Sequence, residues 1–144
     1  MKVYIGSDHA GFDLKESIKN YLKEKKIELI DLGTNSATKS VDYPDYAKKV
    51  AEKTAKDADS IGILACGTGI GMSIAANKVK GIRAALIYDE YTAEVAKKHN
   101  NANVITFGGR TMTPLEVERY LDNFLNTEFE GGRHQHRIDE INKL

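Results

Sequence analysis

Ile61-Gly62-Ile63-Leu64-Ala65-Cys66-Gly67-Thr68-Gly69-Ile70-Gly71-Met72-Ser73 reads as a buried strand that runs into a glycine-rich turn and then into a helix. The apolar run stops at Cys66, the only cysteine of the chain. A strand end, a turn of backbone N–H groups and a helix start together form a cradle for negative charge. A thiol at such a hinge ionises more readily than a free one.

Outward from this segment the same grammar repeats. Short β-rich apolar runs occur at Val3–Ile5, Ile27–Leu32, Ala84–Tyr88 and Val104–Phe107, with Ile61–Ala65 between them. Helical spacing fills the intervals. Leu14, Ile18, Tyr21 and Leu22 mark a first helix; Ala47, Val50, Ala51 and Thr54 a second. Ile70, Ile74, Ala75 and Val79 suggest the inward face of a third, and Tyr91, Val95 and Ala96 that of a fourth. Leu115, Val117, Tyr120, Leu121, Phe124 and Leu125 mark a fifth, with Thr113 as N-cap, Pro114 at its first position and Glu116 closing a capping box. Strand–helix alternation on this scale predicts an α/β domain, a parallel five-stranded sheet with helices on both faces. Runs such as Ala84-Ala85-Leu86-Ile87-Tyr88 read as strands buried on both sides.

Residues 1–144 are expected to form one domain, long enough to bury a core without disulfides or metals. Lys plus Arg (21) balance Asp plus Glu (21), so overall charge does not point to nucleic acid or an anionic membrane. Asp8 and His9 interrupt the first apolar run too early for a signal peptide, and no apolar stretch is long enough to span a bilayer. A lone cysteine fits a reducing, cytoplasmic setting. After Gly131-Gly132, the stripe Ile138, Ile141, Leu144 is too narrow for a core face and reads as a docking edge, against this chain or a second copy.

In open parallel sheets, ligands bind beyond the carboxyl ends of the strands. That selects the loops Ser7-Asp8-His9-Ala10-Gly11, Gly33-Thr34, Cys66 to Gly71, Asp89-Glu90 and Gly108-Gly109-Arg110. No Asp or Glu occurs from Ser60 to Tyr88, so Cys66 is the candidate base of its loop; the plainer reading is a small buried strand-end residue. The glycines could alternatively serve a dinucleotide, with Asp89 after the next strand, but the third glycine of G-x-G-x-x-G falls at Met72. Asp8 and His9 are equally compatible with a helix cap and a surface histidine. His99 closes the fourth helix, where the helix dipole favours imidazolium. Helix C-termini lie at the edge opposite to strand C-termini, so a functional His99 belongs to a neighbouring subunit's site. In Arg133-His134-Gln135-His136-Arg137 the two arginines share a helix face at i, i+4 and suit a phosphate dianion; a solvated basic face is the plainer alternative. His134 and His136, at i, i+2, point apart and do not form a metal pair.

Taken in order, several motifs resemble those of type B ribose-5-phosphate isomerases, within a family that includes galactose-6-phosphate isomerases. They are Gly6-Ser7-Asp8-His9-Ala10-Gly11 with Leu14-Lys15 behind it, Asp42-Tyr43-Pro44-Asp45-Tyr46, Cys66 through Lys78, His99-Asn100, Asn103-Val104, Gly108-Gly109-Arg110 and Arg133 through Arg137. The resemblance implies a three-layer α/β/α Rossmann-like domain whose C-terminal helix docks on a partner subunit, in a homodimer that can pair into a tetramer. It implies metal-independent, cofactor-free interconversion of ribose 5-phosphate and ribulose 5-phosphate. By that resemblance, Cys66 is the base and the N–H groups of Gly67 to Gly71, including Gly69, hold an enediolate. Asp8, His9 and Tyr43 contact the sugar, Thr68 and His99 assist ring opening, and Asn100 binds substrate. Arg110, Arg133 and Arg137 surround the phosphate, some of them from the second subunit. One family branch uses a loop carboxylate with serine at the cysteine position; Cys66 resembles the thiol branch. The galactose-6-phosphate branch divides its site residues between two different chains, whereas this chain carries the full set. Isomerisation of a six-carbon phosphate (allose 6-phosphate or galactose 6-phosphate) is the alternative reading, and a non-catalytic nucleotide-binding module a further one.

Overall fold

Five parallel strands are ordered β2-β1-β3-β5-β4 in a computed structural model that describes residues 1–144. They are β1 (Lys2–Ser7), β2 (Glu28–Asp31), β3 (Ser60–Cys66), β4 (Ala84–Leu86) and β5 (Val104–Gly108). Between and after them come α1 (Phe12–Glu24), α2 (Tyr43–Ala55), α3 (Ile70–Ala76), α4 (Glu90–Lys98), α5 (Pro114–Leu125) and α6 (Arg133–Ile141). Each expected strand and each expected helix forms.

Side-chain alternation along β3 separates two cores. Ile61, Ile63 and Ala65 pack with α1, α4 and α5 through Leu14, Ile18, Leu22, Ala93, Ala96, Val117, Leu121 and Phe124. Leu64 and Cys66 face the other way, against α2 and α3 through Ala47, Val50, Ala51, Met72 and Ala76. The result is the three-layer α/β/α arrangement. Chain order reverses between β1 and β3: from β1 the chain reaches β2 on one side, and from β3 the remaining strands lie on the other. Such a reversal opens a crevice at the strands' carboxyl ends, here between Ser7 and Cys66.

Expected faces on four elements are corrected. α3 turns Met72 and Ala76 inward, while Ile70 and Ile74 are 52 % and 63 % exposed. β4 is an edge strand, half-buried rather than buried on both sides, and Tyr88 beyond it is exposed. Tyr91 and Leu115, read as inward, also face solvent, and Ala93 takes the inward position in α4. In α6 the buried residues are His134 and Ile138; Ile141 and Leu144 are exposed. The α5 start forms as read: Thr113 Oγ1 accepts from the Glu116 N–H at 3.2 Å, and Glu116 Oε1 from the Thr113 N–H at 2.9 Å.

Candidate active site

The crevice between the ends of β1 and β3 has a volume of 470 Å³ and is lined by Asp8, His9, Tyr43, Cys66, Gly67, Thr68, Gly71 and Arg110, with Ile70 and Ile74 at its rim. Cys66 is the last residue of β3 and is 5 % exposed. Its Sγ accepts the N–H of Gly69 at 3.1 Å. The geometry needs glycine at 69: φ is +83° and a Cβ would sit 2.7 Å from Leu86 and 3.0 Å from the Phe107 backbone. Thr106 Oγ1 donates to the Gly69 carbonyl at 2.9 Å, which holds the next peptide unit of the same residue. The N–H that meets sulfur is therefore held in place at the atom that would carry a thiolate's charge.

Three more N–H groups of this turn, those of Gly67, Thr68 and Gly71, donate to no acceptor within the chain. All three residues line the crevice. They are free donors on the loop that follows the sulfur, and free backbone donors of this kind can stabilise a developing oxyanion. Thr68 Oγ1 accepts from the Ile70 N–H at 3.2 Å, and its hydroxyl proton remains free to donate.

Asp8 stands just past the end of β1, where it holds the following turn and borders the crevice. Its Oδ1 accepts from the Gly11 N–H at 3.0 Å, tying the entry to α1, and the side chain lines the crevice. His9 Nδ1 accepts from the Val41 N–H at 3.2 Å. An accepting Nδ1 leaves the ring proton on Nε2 in the neutral tautomer. Tyr43 begins α2 and lies across the glycine turn: a Cβ at Gly71 would stand 2.5 Å from its ring. Arg110 hangs from the loop after β5, its N–H donating to the Gly67 carbonyl at 2.9 Å and its side chain packed over Gly67. Its guanidinium forms no ion pair and is free for an anion.

His99, Asn100, Arg133 and Arg137 do not line this crevice. His99 caps the end of α4 and stacks on His134, with ring centroids 4.2 Å apart and planes 12° from parallel. Asn100 borders a separate cavity with Ala84 and Ala85, at the amino end of β4. Arg133 and Arg137 are exposed on α6. The expected residues thus form two clusters at opposite edges of the sheet. His134 is buried, and its pKa is pushed down by that burial and by the neighbouring His99 and Arg133. His136 points away, its Nε2 2.9 Å from Glu140 Oε1.

The nucleotide reading loses its supports. Asp89 is the N-cap of α4, its carboxylate accepting the Thr92 N–H at 2.6 Å, and Met72 is fully buried. Sequence reading gave no role to Lys15, which is fully buried and ion-paired with Asp31. Its Nζ donates to both Asp31 oxygens at 2.8 Å and to the Thr34 carbonyl at 2.6 Å. Thr34 N–H in turn donates to the Ser7 carbonyl at 2.9 Å, one residue before Asp8. No periodicity signals this, because a lysine beside Leu14 reads as the polar edge of an apolar stripe.

A family model described as Ribose/Galactose Isomerase matches residues 3–141. A probable ribose-5-phosphate isomerase B of Mycoplasma genitalium is 49% identical over 140 residues, covering 96% of this chain and 92% of that protein. Among solved structures, a ribose 5-phosphate isomerase of Thermotoga maritima superposes with a TM-score of 0.96 at 51% identity, covering 99% of this chain and 98% of the other. A ribose-5-phosphate isomerase B of Mycoplasma genitalium with bound ribulose-5-phosphate superposes with a TM-score of 0.95 at 48% identity, covering 99% and 94%.

Proposed function

The chain belongs to the ribose/galactose isomerase family, and from that premise we propose that it interconverts ribose 5-phosphate and ribulose 5-phosphate through an enediolate, with Cys66 as the base. The observation that carries the assignment of Cys66 is its sulfur in the crevice, met by the Gly69 N–H, with no carboxylate on its own loop and with free backbone donors on the residues that follow it.

Cys66 as thiolate takes the C2 proton of the open-chain aldose. The C–H electron pair becomes the C1=C2 bond, and negative charge moves to O1. The free N–H groups of Gly67, Thr68 and Gly71 hold that oxygen; losing one such donor typically costs about 2.7–4 kcal/mol of transition-state stabilisation. The thiol then returns its proton to C1, and the O2 proton passes to O1 as the ketose forms. Asp8, His9 and Tyr43 orient the sugar. Thr68 and His99 assist ring opening, and Asn100 binds the substrate. Arg110, with Arg133 and Arg137, clamps the phosphate, whose binding energy positions the reacting carbons.

This reading needs two copies of the chain, since His99, Asn100, Arg133 and Arg137 stand away from the crevice that holds Cys66. Exposed Ile70 and Ile74 at the crevice rim supply apolar surface for a homodimer, in which α6 of one copy docks toward the crevice of the other. No helix is long and apolar enough to cross a membrane, and a free thiol base is best kept reduced in the cytoplasm.

Cys66→Ala tests the base. Turnover should fall by about 10²–10⁴, the usual contribution of a positioned base, while ribulose 5-phosphate still binds. Near-normal turnover would overturn the assignment. Ribose 5-phosphate should exceed allose 6-phosphate in kcat/KM; the reverse ratio would move the assignment to the six-carbon substrate.

A further inference from the structure

His134 buries an imidazole nitrogen that nothing satisfies. The residue is 6 % exposed, and its Nε2 makes no hydrogen bond. The nearest carboxylate oxygen, Glu130 Oε1, is 3.9 Å away, too far for a hydrogen bond. His99 stacks against the same ring from the end of α4. Ligand-type atoms of His99, Glu130 and His134 all lie within 4.8 Å of one another. Their frame is pinned: the Glu130 N–H donates to the Lys98 carbonyl at 3.0 Å, joining the segment before α6 to the last turn of α4.

We propose that His99, Glu130 and His134 bind a divalent transition-metal ion of the zinc type. Two imidazoles and one carboxylate are the donor set that zinc favours, whereas magnesium and calcium prefer oxygen ligands. Zinc–ligand distances of about 2.0–2.2 Å place neighbouring donors of a tetrahedral site roughly 3.4 Å apart. The cluster must therefore contract: Glu130, on a half-exposed side chain, rotates inward, and the His99 and His134 rings turn out of their stacked arrangement so that both lone pairs meet the ion. Ligation needs neutral histidines. Arg133 and Arg137 stand on the same helix and repel a second positive charge, so the site is weaker than a structural zinc centre. Nothing in the sequence pairs these residues: His134 and His136 diverge, and the second histidine comes from a different helix.

The functional consequence rests on the reading of His99 above. A metal that takes the His99 lone pair withdraws it from ring opening in the neighbouring site, so zinc inhibits and a chelator reverses the inhibition. The test uses the intact protein and zinc alone, followed by calorimetry, with cobalt absorption reporting tetrahedral nitrogen and oxygen ligation. One ion per chain is expected. Affinity should drop at least tenfold in Glu130→Gln, a surface change that preserves folding and metal-free activity, and in His134→Asn, while Cys66→Ser keeps it. Undiminished affinity in Glu130→Gln and His134→Asn, or binding lost in Cys66→Ser, overturns the site. Inhibition that Glu130→Gln escapes supports both the site and the role of His99. Full occupancy with unchanged turnover supports the site and overturns that role.

Discussion

Replacing Lys15 by Met should cost this protein about 3 kcal/mol, and the share carried by Asp31 should vanish in acid while the share carried by the Thr34 carbonyl stays. Lys15 is fully buried, and its ammonium is satisfied by Asp31 and by the Thr34 carbonyl. Methionine fills similar space, so the cavity contribution is small. It leaves the buried Thr34 carbonyl without its donor, worth about 1–3 kcal/mol, and removes a charged hydrogen bond worth about 1.5–3 kcal/mol. Breaking a fully buried ion pair costs about 3–5 kcal/mol. Asp31 keeps the Lys19 ammonium at 2.8 Å and the Gly33 N–H at 2.9 Å, and its side chain is 23% exposed, which places the loss near the lower bound. Burial pushes the Asp31 pKa up, but hydrogen bonds from Lys15, Lys19 and Gly33 outweigh it, and the folded value lies below the ordinary 3.8. A depressed folded pKa contributes stability above the unfolded pKa, lost as pH falls through the folded value. The difference between the two proteins should therefore be largest at neutral pH and shrink below pH 3.8. Urea denaturation at a series of pH values measures it, with an unchanged m-value. A cost under about 1 kcal/mol at neutral pH, or one that does not shrink in acid, would refute the reasoning. The same change should raise KM, because Thr34 and Gly33 are strapped to Ser7 beside Asp8.

Gly71→Ala should push the Tyr43 ring aside and raise KM about tenfold, the cost of one misplaced methyl in a pocket. Urea midpoints should barely move, because Tyr43 is partly exposed and yields; an unaltered KM would remove Tyr43 from substrate contact. Thr113→Ala deletes the α5 capping box and should destabilise by about 1 kcal/mol with kcat unchanged, as read by denaturation and steady-state kinetics. Mixing Cys66→Ala with His99→Ala chains should restore about a quarter of normal activity, since half of randomly paired dimers would hold one intact site of two. Confirmed heterodimers without recovery would show that each site is built from one chain.

Much of the fold was legible because its strands are short runs of branched apolar residues separated by helix-length intervals. The exceptions share a cause. Ile70 and Ile74 follow helical spacing as well as any core stripe, yet they face solvent beside the crevice. Periodicity reports which residues are apolar, not what covers them, and a seven-residue helix has too few turns to separate the two cases. β4 misled in the same way: its run is apolar, but its place at the sheet edge was set by strand order, which no local pattern encodes.

For the site, the sequence by itself determined the chemistry on offer: a lone thiol at a strand end, glycines after it, and arginines at one helix spacing. These follow from local rules, because a strand, a turn and a helix start are contiguous in the chain. Tertiary structure alone decided which groups meet. It joined Asp8, His9, Tyr43 and Arg110 to Cys66 across loops far apart in sequence, and it set His99, Asn100, Arg133 and Arg137 elsewhere. It also buried Lys15 against Asp31 and His134 against His99. Such pairings depend on strand order and on helices packing across the sheet, long-range interactions that leave no mark on the spacing of residues along one segment.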